Sequence, residues 1–139
     1  PDNGRVCRTV FVAATDEEAR ARADGAESGH RYFFGIMHKV FTTIGRLGSL
    51  KPRPDMRDDE VTVDMFMDRQ MIVGSPKTVI ERIEQIYEEV GGFGQLLVFG
   101  FDYSENPQAW RHSLELLAKE VLPKVQHLKP ARPRRAAAE

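Results

Sequence analysis

Apolar positions along the chain fall into short runs and helical stripes, separated by glycine, proline and charge. Residues 5–13, Arg-Val-Cys-Arg-Thr-Val-Phe-Val-Ala, are rich in β-branched residues. Their continuously apolar end, Val10 to Ala13, predicts a strand covered on both faces. Thr15 or Asp16 then offers an N-cap, and Glu17 and Glu18 place negative charge at the positive end of the following helix. Gly25 and Gly29 break or bend that helix. Phe33, Met37, Val40, Ile44 and Leu47 recur at helical spacing and predict a second helix with one buried stripe, ending near Gly45 or Gly48. The aromatics of the 32–47 stripe equally suit a ligand-pocket wall or a partner surface. Residues 48–60 hold two prolines and seven charges and predict a loop, either an exposed connector or a lid. A short helix over 60–69 would face Val63, Phe66 and Met67 inward.

The second half is patterned more sharply. Ser75 is an N-cap and Pro76 stands at the first helical position, where its missing N–H costs nothing. Val79, Ile83, Ile86 and Val90 make one apolar face, and Gly91-Gly92 stops the helix. Gln95 to Phe99 reads as a buried parallel strand ended by Gly100. Asn106-Pro107 opens another helix, whose buried face is Trp110, Leu114, Leu117 and Val121, and Pro123 kinks or ends it. Residues 129–139 read as a frayed tail. Strand and helix alternate in the manner of the α/β class, with about two parallel strands in a helix-rich chain.

Composition removes several functions. The 139 residues carry 20 Lys and Arg against 21 Asp and Glu, a net charge of −1, which lacks the basic excess of a nucleic-acid binder. The single cysteine, Cys7, excludes an internal disulfide and a multi-cysteine zinc site, and its strand position predicts a small buried apolar residue. No apolar run approaches the roughly 20 residues of a membrane span, and residues 1–5 have no signal-peptide core. These features predict a soluble cytoplasmic protein without a membrane partner.

Phosphate-cradling glycine loops, nucleophile elbows, zinc-helix motifs and calcium loops are all missing from the sequence. Gly91-Gly92-Phe93-Gly94 follows a helix and precedes a strand, the wrong order for an anion site. His30 and His38 lie eight apart, and Asp58, Asp59 and Glu60 cluster in a loop. Neither set has the further ligands that a metal site needs, so no metal is expected. Ligands of α/β proteins bind at the C-terminal ends of parallel strands. Those ends here are Ala13-Ala14-Thr15-Asp16 and Gly100-Phe101-Asp102-Tyr103. Phe101, Asp102 and Tyr103 form the candidate pocket rim. Phe101 would cover an apolar ligand, and Asp102 would orient a donor, pair with a base, or simply cap the loop into the next helix.

Gly74-Ser75-Pro76-Lys77-Thr78-Val79, Glu89 to Leu97 with its Gly-Gly-Phe-Gly, and the Trp110-to-Pro123 helix occur in order at matching separations. Together with Val10 to Ala19 they resemble the C-terminal end of the bacterial luciferase-like, flavin-dependent monooxygenases. The likeness is nearest to the actinobacterial, limonene-monooxygenase-like branch. The resemblance implies a (β/α)8 TIM barrel that uses reduced FMN, delivered by a flavin reductase, to oxygenate a small organic substrate with dioxygen. A related deazaflavin-dependent barrel is the alternative. Residues 5–13 would be the seventh strand and 95–99 the last, with 14–70 an insertion carrying a mobile loop at 48–60. The family often has a histidine where Phe101 stands. Its main flavin contacts lie on earlier strands, so catalytic and cofactor-binding residues are not assigned here.

Such a barrel needs roughly 250 residues. The resemblance therefore implies that residues 1–128 are the C-terminal portion of an enzyme and inactive alone. Two strands cannot close a barrel, which favours self-association into a homo-oligomer. The rival reading is a stand-alone α/β interaction module that uses the 32–47 stripe.

Overall fold

The computed structural model describes residues 4–25, 28–101 and 106–128. Asp102, Tyr103 and the tail at 129–139 lie outside the described residues. The chain runs through β1 (Arg5–Val12), α1 (Asp16–Ala23) and α2 (Gly29–Thr43), then two short 3-10 turns, Leu47–Leu50 and Asp58–Glu60. It continues through α3 (Val63–Gln70), β2 (Met71–Gly74), α4 (Pro76–Glu89), β3 (Gln95–Phe99), α5 (Pro107–Leu116) and α6 (Leu122–Val125).

The polar residues flanking the helices set their boundaries. Thr15 accepts a hydrogen bond from the Glu18 N–H, Ser28 from Arg31, Thr62 from Met65, Ser75 from Thr78 and Asn106 from Ala109. Gly45, Gly91 and Gly92 adopt positive φ just past α2 and α4, a conformation a side chain would oppose. Ahead of Pro123 the helix loosens into a π turn over Leu117–Val121, where the Leu122 N–H reaches back five residues to the Leu117 carbonyl. The proline ring would collide with the carbonyl of Lys119, so the turn widens and the chain bends without breaking.

Three strands form one parallel sheet in the order β2-β1-β3. The sequence pattern showed two of them. Met71–Gly74 follows α3 without an intervening turn residue, so four residues of strand were hidden between two helical signals. A strand between 5–12 and 95–99 also means those two cannot be consecutive members of a barrel. Among these three strands β1 is central, whereas in consecutive barrel order β2 would be. Here β3 pairs with the other edge of β1, Cys7 opposite Leu97 and Thr9 opposite Phe99. Beyond Thr9 that edge continues into the helical layer, where the buried Ser113 hydroxyl of α5 accepts from the Val12 N–H at 2.8 Å.

Alternation along β1 divides the interior into two cores. Phe11 and Ala13 pack with Phe34, Phe66, Met67 and Met71, while Val10 and Val12 pack with Ile72, Val79, Ile83 and Ile86. The 48–60 stretch is held on the first core by Leu50 and Met56, and Lys51 pairs with Asp58 at 2.5 Å.

Four burial expectations are corrected. β3 is not buried: Leu97 is 48% and Phe99 49% exposed, because no layer covers the outer side of this edge strand. Helix α2 buries His30 and Phe34, with Phe33, Met37 and Phe41 partly covered, whereas Val40 and Ile44 face outward. Cys7 is exposed, since no α2 side chain fills the space in front of it. On α5, Leu114 is likewise exposed while Leu117 and Val121 are buried.

Candidate functional site

The first core grows into an aromatic cluster along the inner face of α2. His30, in its first turn, is 1% exposed and meets the edge of Phe101 at 4.7 Å between ring centroids and Phe11 at 6.5 Å. Phe101 also meets Phe33 at 4.9 Å and Phe99 at 5.3 Å. Phe66 of α3 joins the cluster against Phe34 at 5.1 Å and Phe41 at 5.9 Å. These tilted and edge-on contacts favour the electrostatics of aromatic rings and hold them in fixed orientations. Burial pushes the His30 pKa down to about 4, against the opposing pull of its hydrogen bond with the Ala23 carbonyl. The imidazole is therefore neutral at pH 7.

Beside this cluster lies a cavity of about 330 Å³. Phe33, Phe34, Met37, Phe41, Phe66 and Phe99 line it, with Cys7 and Thr9 of β1 at its floor. Its walls suit an apolar molecule, held by shape and dispersion with few polar anchors. A smaller, more polar cavity of about 260 Å³ sits at the C-terminal end of β1, between Ala13, Arg22, Asn106 and His112.

Asp16 has a different task. It accepts from the Ser75 N–H at 2.6 Å and from the Thr78 hydroxyl at 2.9 Å, tying the end of β1 to the start of α4. The Ser75 backbone bond, then the Thr78 hydroxyl, lower its pKa. Gly74 permits this approach, since a Cβ there would lie 2.7 Å from the Asp16 carboxylate. The N-terminus of α4 thus already holds an anion of the protein's own.

Of the expected rim, the structure places Phe101 in the aromatic cluster, while Asp102 and Tyr103 lie outside the described residues. His38 bonds the Val61 carbonyl at 2.6 Å and takes no part with His30. Among the described residues no group of three or more His, Cys, Asp or Glu is arranged to hold a metal. Likewise, no described helix is long and apolar enough to cross a membrane. His30 was not expected from the sequence to be a buried member of the aromatic cluster. Its signal was present as a histidine inside an aromatic run, but was considered only for metal binding.

A parallel sheet with helices on both faces and an aromatic cavity against one of them defines an α/β protein. No protein-family model matches the chain. It is 37% identical over 130 residues to 2,5-diketocamphane 1,2-monooxygenase 2 of Pseudomonas putida, covering 90% of this chain and 35% of that protein. Limonene 1,2-monooxygenase of Rhodococcus erythropolis is 27% identical over 124 residues, covering 86% of this chain and 28% of its own length. Among solved structures, it resembles the oxygenating constituent of 3,6-diketocamphane monooxygenase from Pseudomonas putida, a type II Baeyer–Villiger monooxygenase in complex with FMN. The TM-score is 0.73 at 34% identity, over 86% of this chain and 33% of that one. The chain is thus homologous to luciferase-like, FMN-dependent monooxygenases and spans about a third of the length of the relatives it matches.

Proposed function

We propose that this chain is the C-terminal portion of a flavin-dependent monooxygenase, and that it supplies an apolar wall of the substrate pocket. The observation that carries this reading is the aromatic cavity between β1 and α2, of a size for a compact ring compound. The diketocamphane and limonene relatives support a small organic substrate. The FMN in the solved neighbour supports FMN rather than a deazaflavin. In the whole enzyme reduced FMN supplies the electrons that activate dioxygen, and a separate flavin reductase in the cytoplasm supplies the reduced FMN. The candidate rim begins at Phe101, which packs on the lining residues Phe33 and Phe99 and is followed in the sequence by Asp102 and Tyr103, and Leu50 of the 48–60 stretch lines the cavity. Self-association into a homo-oligomer would cover the exposed faces of β3.

The two helix N-termini that follow β2 and β3 do not fit the phosphate of FMN. Asp16 fills the N-terminus of α4, and Asn106 caps that of α5 by accepting from Ala109 at 3.1 Å. The chain is therefore assigned no flavin-phosphate contact and no step of the reaction passing through the flavin. Its own contribution is to surround the substrate with rings and to exclude water.

Two titrations of the 139-residue chain test this. FMN fluorescence should stay unquenched, and tight stoichiometric quenching would overturn the placing of flavin contacts elsewhere. A bicyclic ketone of the camphane type should shift the NMR signals of Phe33, Phe34 and Phe66. Unmoved aromatic signals at saturating ketone would refute the pocket.

A second reading is favoured by one observation. Tyr32, Ile36, Val40 and Ile44 line the outer side of α2, the first 74% and the last 60% exposed. In an interaction module this ridge would be the partner surface.

A further inference from the structure

At the end of the sheet opposite Ala13 and Gly74, three arginines surround a cavity of about 530 Å³. Arg8 comes from β1, Arg69 from the last turn of α3 and Arg82 from α4, and the carboxylates of Asp68 and Glu89 also line it. Two of the three guanidinium groups have evident protein partners. Arg69 donates to the Lys51 carbonyl and offsets the negative end of α3. Arg82 donates to the Gln85 side chain at 2.6 Å and stands 3.9 Å from Glu89. Arg8 differs. Its Nη1 donates to the adjacent Cys7 carbonyl at 2.7 Å, but its Nε is buried and has no partner among the described residues. A buried donor without an acceptor costs about 1–3 kcal/mol, so such a group calls for an unseen partner.

Charge points to the kind of partner. Three guanidinium groups face two carboxylates, which leaves the cavity one positive charge in excess. Burial lowers the Arg8 pKa, and the neighbouring charges of Arg69 and Arg82 lower it further, so like charges crowd one another there. An anion would relieve the crowding, and a small turn of the Arg8 side chain would bring Nε to it. Guanidinium groups suit tetrahedral oxyanions best, because their planar donors meet two oxygens at once. The cavity also exceeds the needs of a bare ion and has apolar wall from Met65, Ile86 and Val90.

We propose that Arg8, Arg69 and Arg82 form a phosphate-binding site at the end of the sheet opposite Ala13 and Gly74. The ligand is inorganic phosphate or the phosphate group of a small ester. Arg8 lines both this cavity and the aromatic one, whereas Arg69 and Arg82 line only this one of the two, so Arg82→Gln separates a failure of this site from a failure of the oxygenase reading.

The test is titration of the 139-residue chain at low ionic strength with inorganic phosphate and with phenyl phosphate, followed by calorimetry and by the assigned Arg8 Nε–H resonance. Both should bind and move that resonance, and sodium chloride at equal ionic strength should do neither. Tighter binding of phenyl phosphate assigns an ester ligand, and equal affinity assigns free phosphate. Arg8→Met, which keeps the aliphatic stem, should weaken binding about tenfold or more. Arg82→Gln should weaken it as well, and serves if Arg8→Met does not fold. An Arg8 Nε–H signal unmoved at 10 mM phosphate would overturn the site, as would undiminished affinity in the folded variant.

Discussion

His30 shows how far a single residue's surroundings set its chemistry. Its folded pKa, about 4, lies below the ordinary histidine value of 6.5 in an unfolded chain. As pH falls, the unfolded chain therefore takes the proton first. Stability from this residue is complete above about pH 6.5 and is lost progressively down to about pH 4, on the order of 3 kcal/mol in all. Urea unfolding at pH 7 and pH 4.5 should show this loss, and His30→Phe should remove most of it. An unchanged slope in the variant would place the acid sensitivity elsewhere. Asp16 does not confuse the measurement, because its pKa is lowered and its loss falls at more acid pH. At Gly74 the constraint is steric. Gly74→Ala should cost about 1–3 kcal/mol, because the new Cβ meets the Asp16 carboxylate at 2.7 Å and Thr78 Cβ at 2.8 Å. A loss below ~0.5 kcal/mol in thermal unfolding would mean that this clasp yields easily. The N-caps of α1, α4 and α5 were legible in the sequence because they are contacts within three residues. The Asp16 clasp was not, because it spans 59 residues to Ser75 and rests on an acidic residue that also reads as part of a first turn.

Elements with one clear apolar face were legible, and elements without one were not. Helix α4 has Val79, Ile83 and Ile86 on one side and charge on the other, and those three residues are buried as expected, while Val90 at its C-cap is exposed. Helix α2 is apolar nearly all round, from Tyr32, Phe33 and Phe34 through Ile36, Met37, Val40 and Phe41. Several stripes fit such a helix equally well. Its buried side is chosen by distant partners, Phe66 and Phe101, which no local periodicity reveals. The rotation is testable with two substitutions one half-turn apart. Phe34→Ala should cost about 3–5 kcal/mol, since it empties a site between Phe33 and Phe66. Tyr32→Ala should change stability by less than ~0.5 kcal/mol at its exposed site. Comparable losses from both, in paired denaturant titrations, would mean that the helix is turned differently. The strand at Met71–Gly74 stayed hidden for a related reason. Four residues are too few for alternation to register, and Gly74-Ser75-Pro76 draws the eye to the helix that follows.

For the whole molecule, the class of fold followed from alternating strand and helix signals, and the family from motif order. Sheet order followed from neither. Strand order is decided by which apolar edge each strand finds, and β3 carries no mark in its sequence that distinguishes one edge of β1 from a place beside β2. The observed pairing of Cys7 with Leu97 makes the arrangement accessible to chemistry. Directly paired residues of adjacent strands point to the same face, at a separation of about 5 Å that a disulfide can span. A β2 strand inserted between them, as in a ring of consecutive strands, would move them to roughly 10 Å and forbid the bond. Cys7 is the chain's single cysteine and is exposed, so one substitution suffices. Leu97→Cys should form an intramolecular disulfide under mild oxidation, seen as a loss of two thiols in a monomer by intact mass. Val98→Cys pairs with Arg8 and projects from the opposite face, so it should leave Cys7 free. If Leu97→Cys also keeps both thiols, β3 does not lie beside β1. Sequential barrel order, with β3 beside β2, would then be restored.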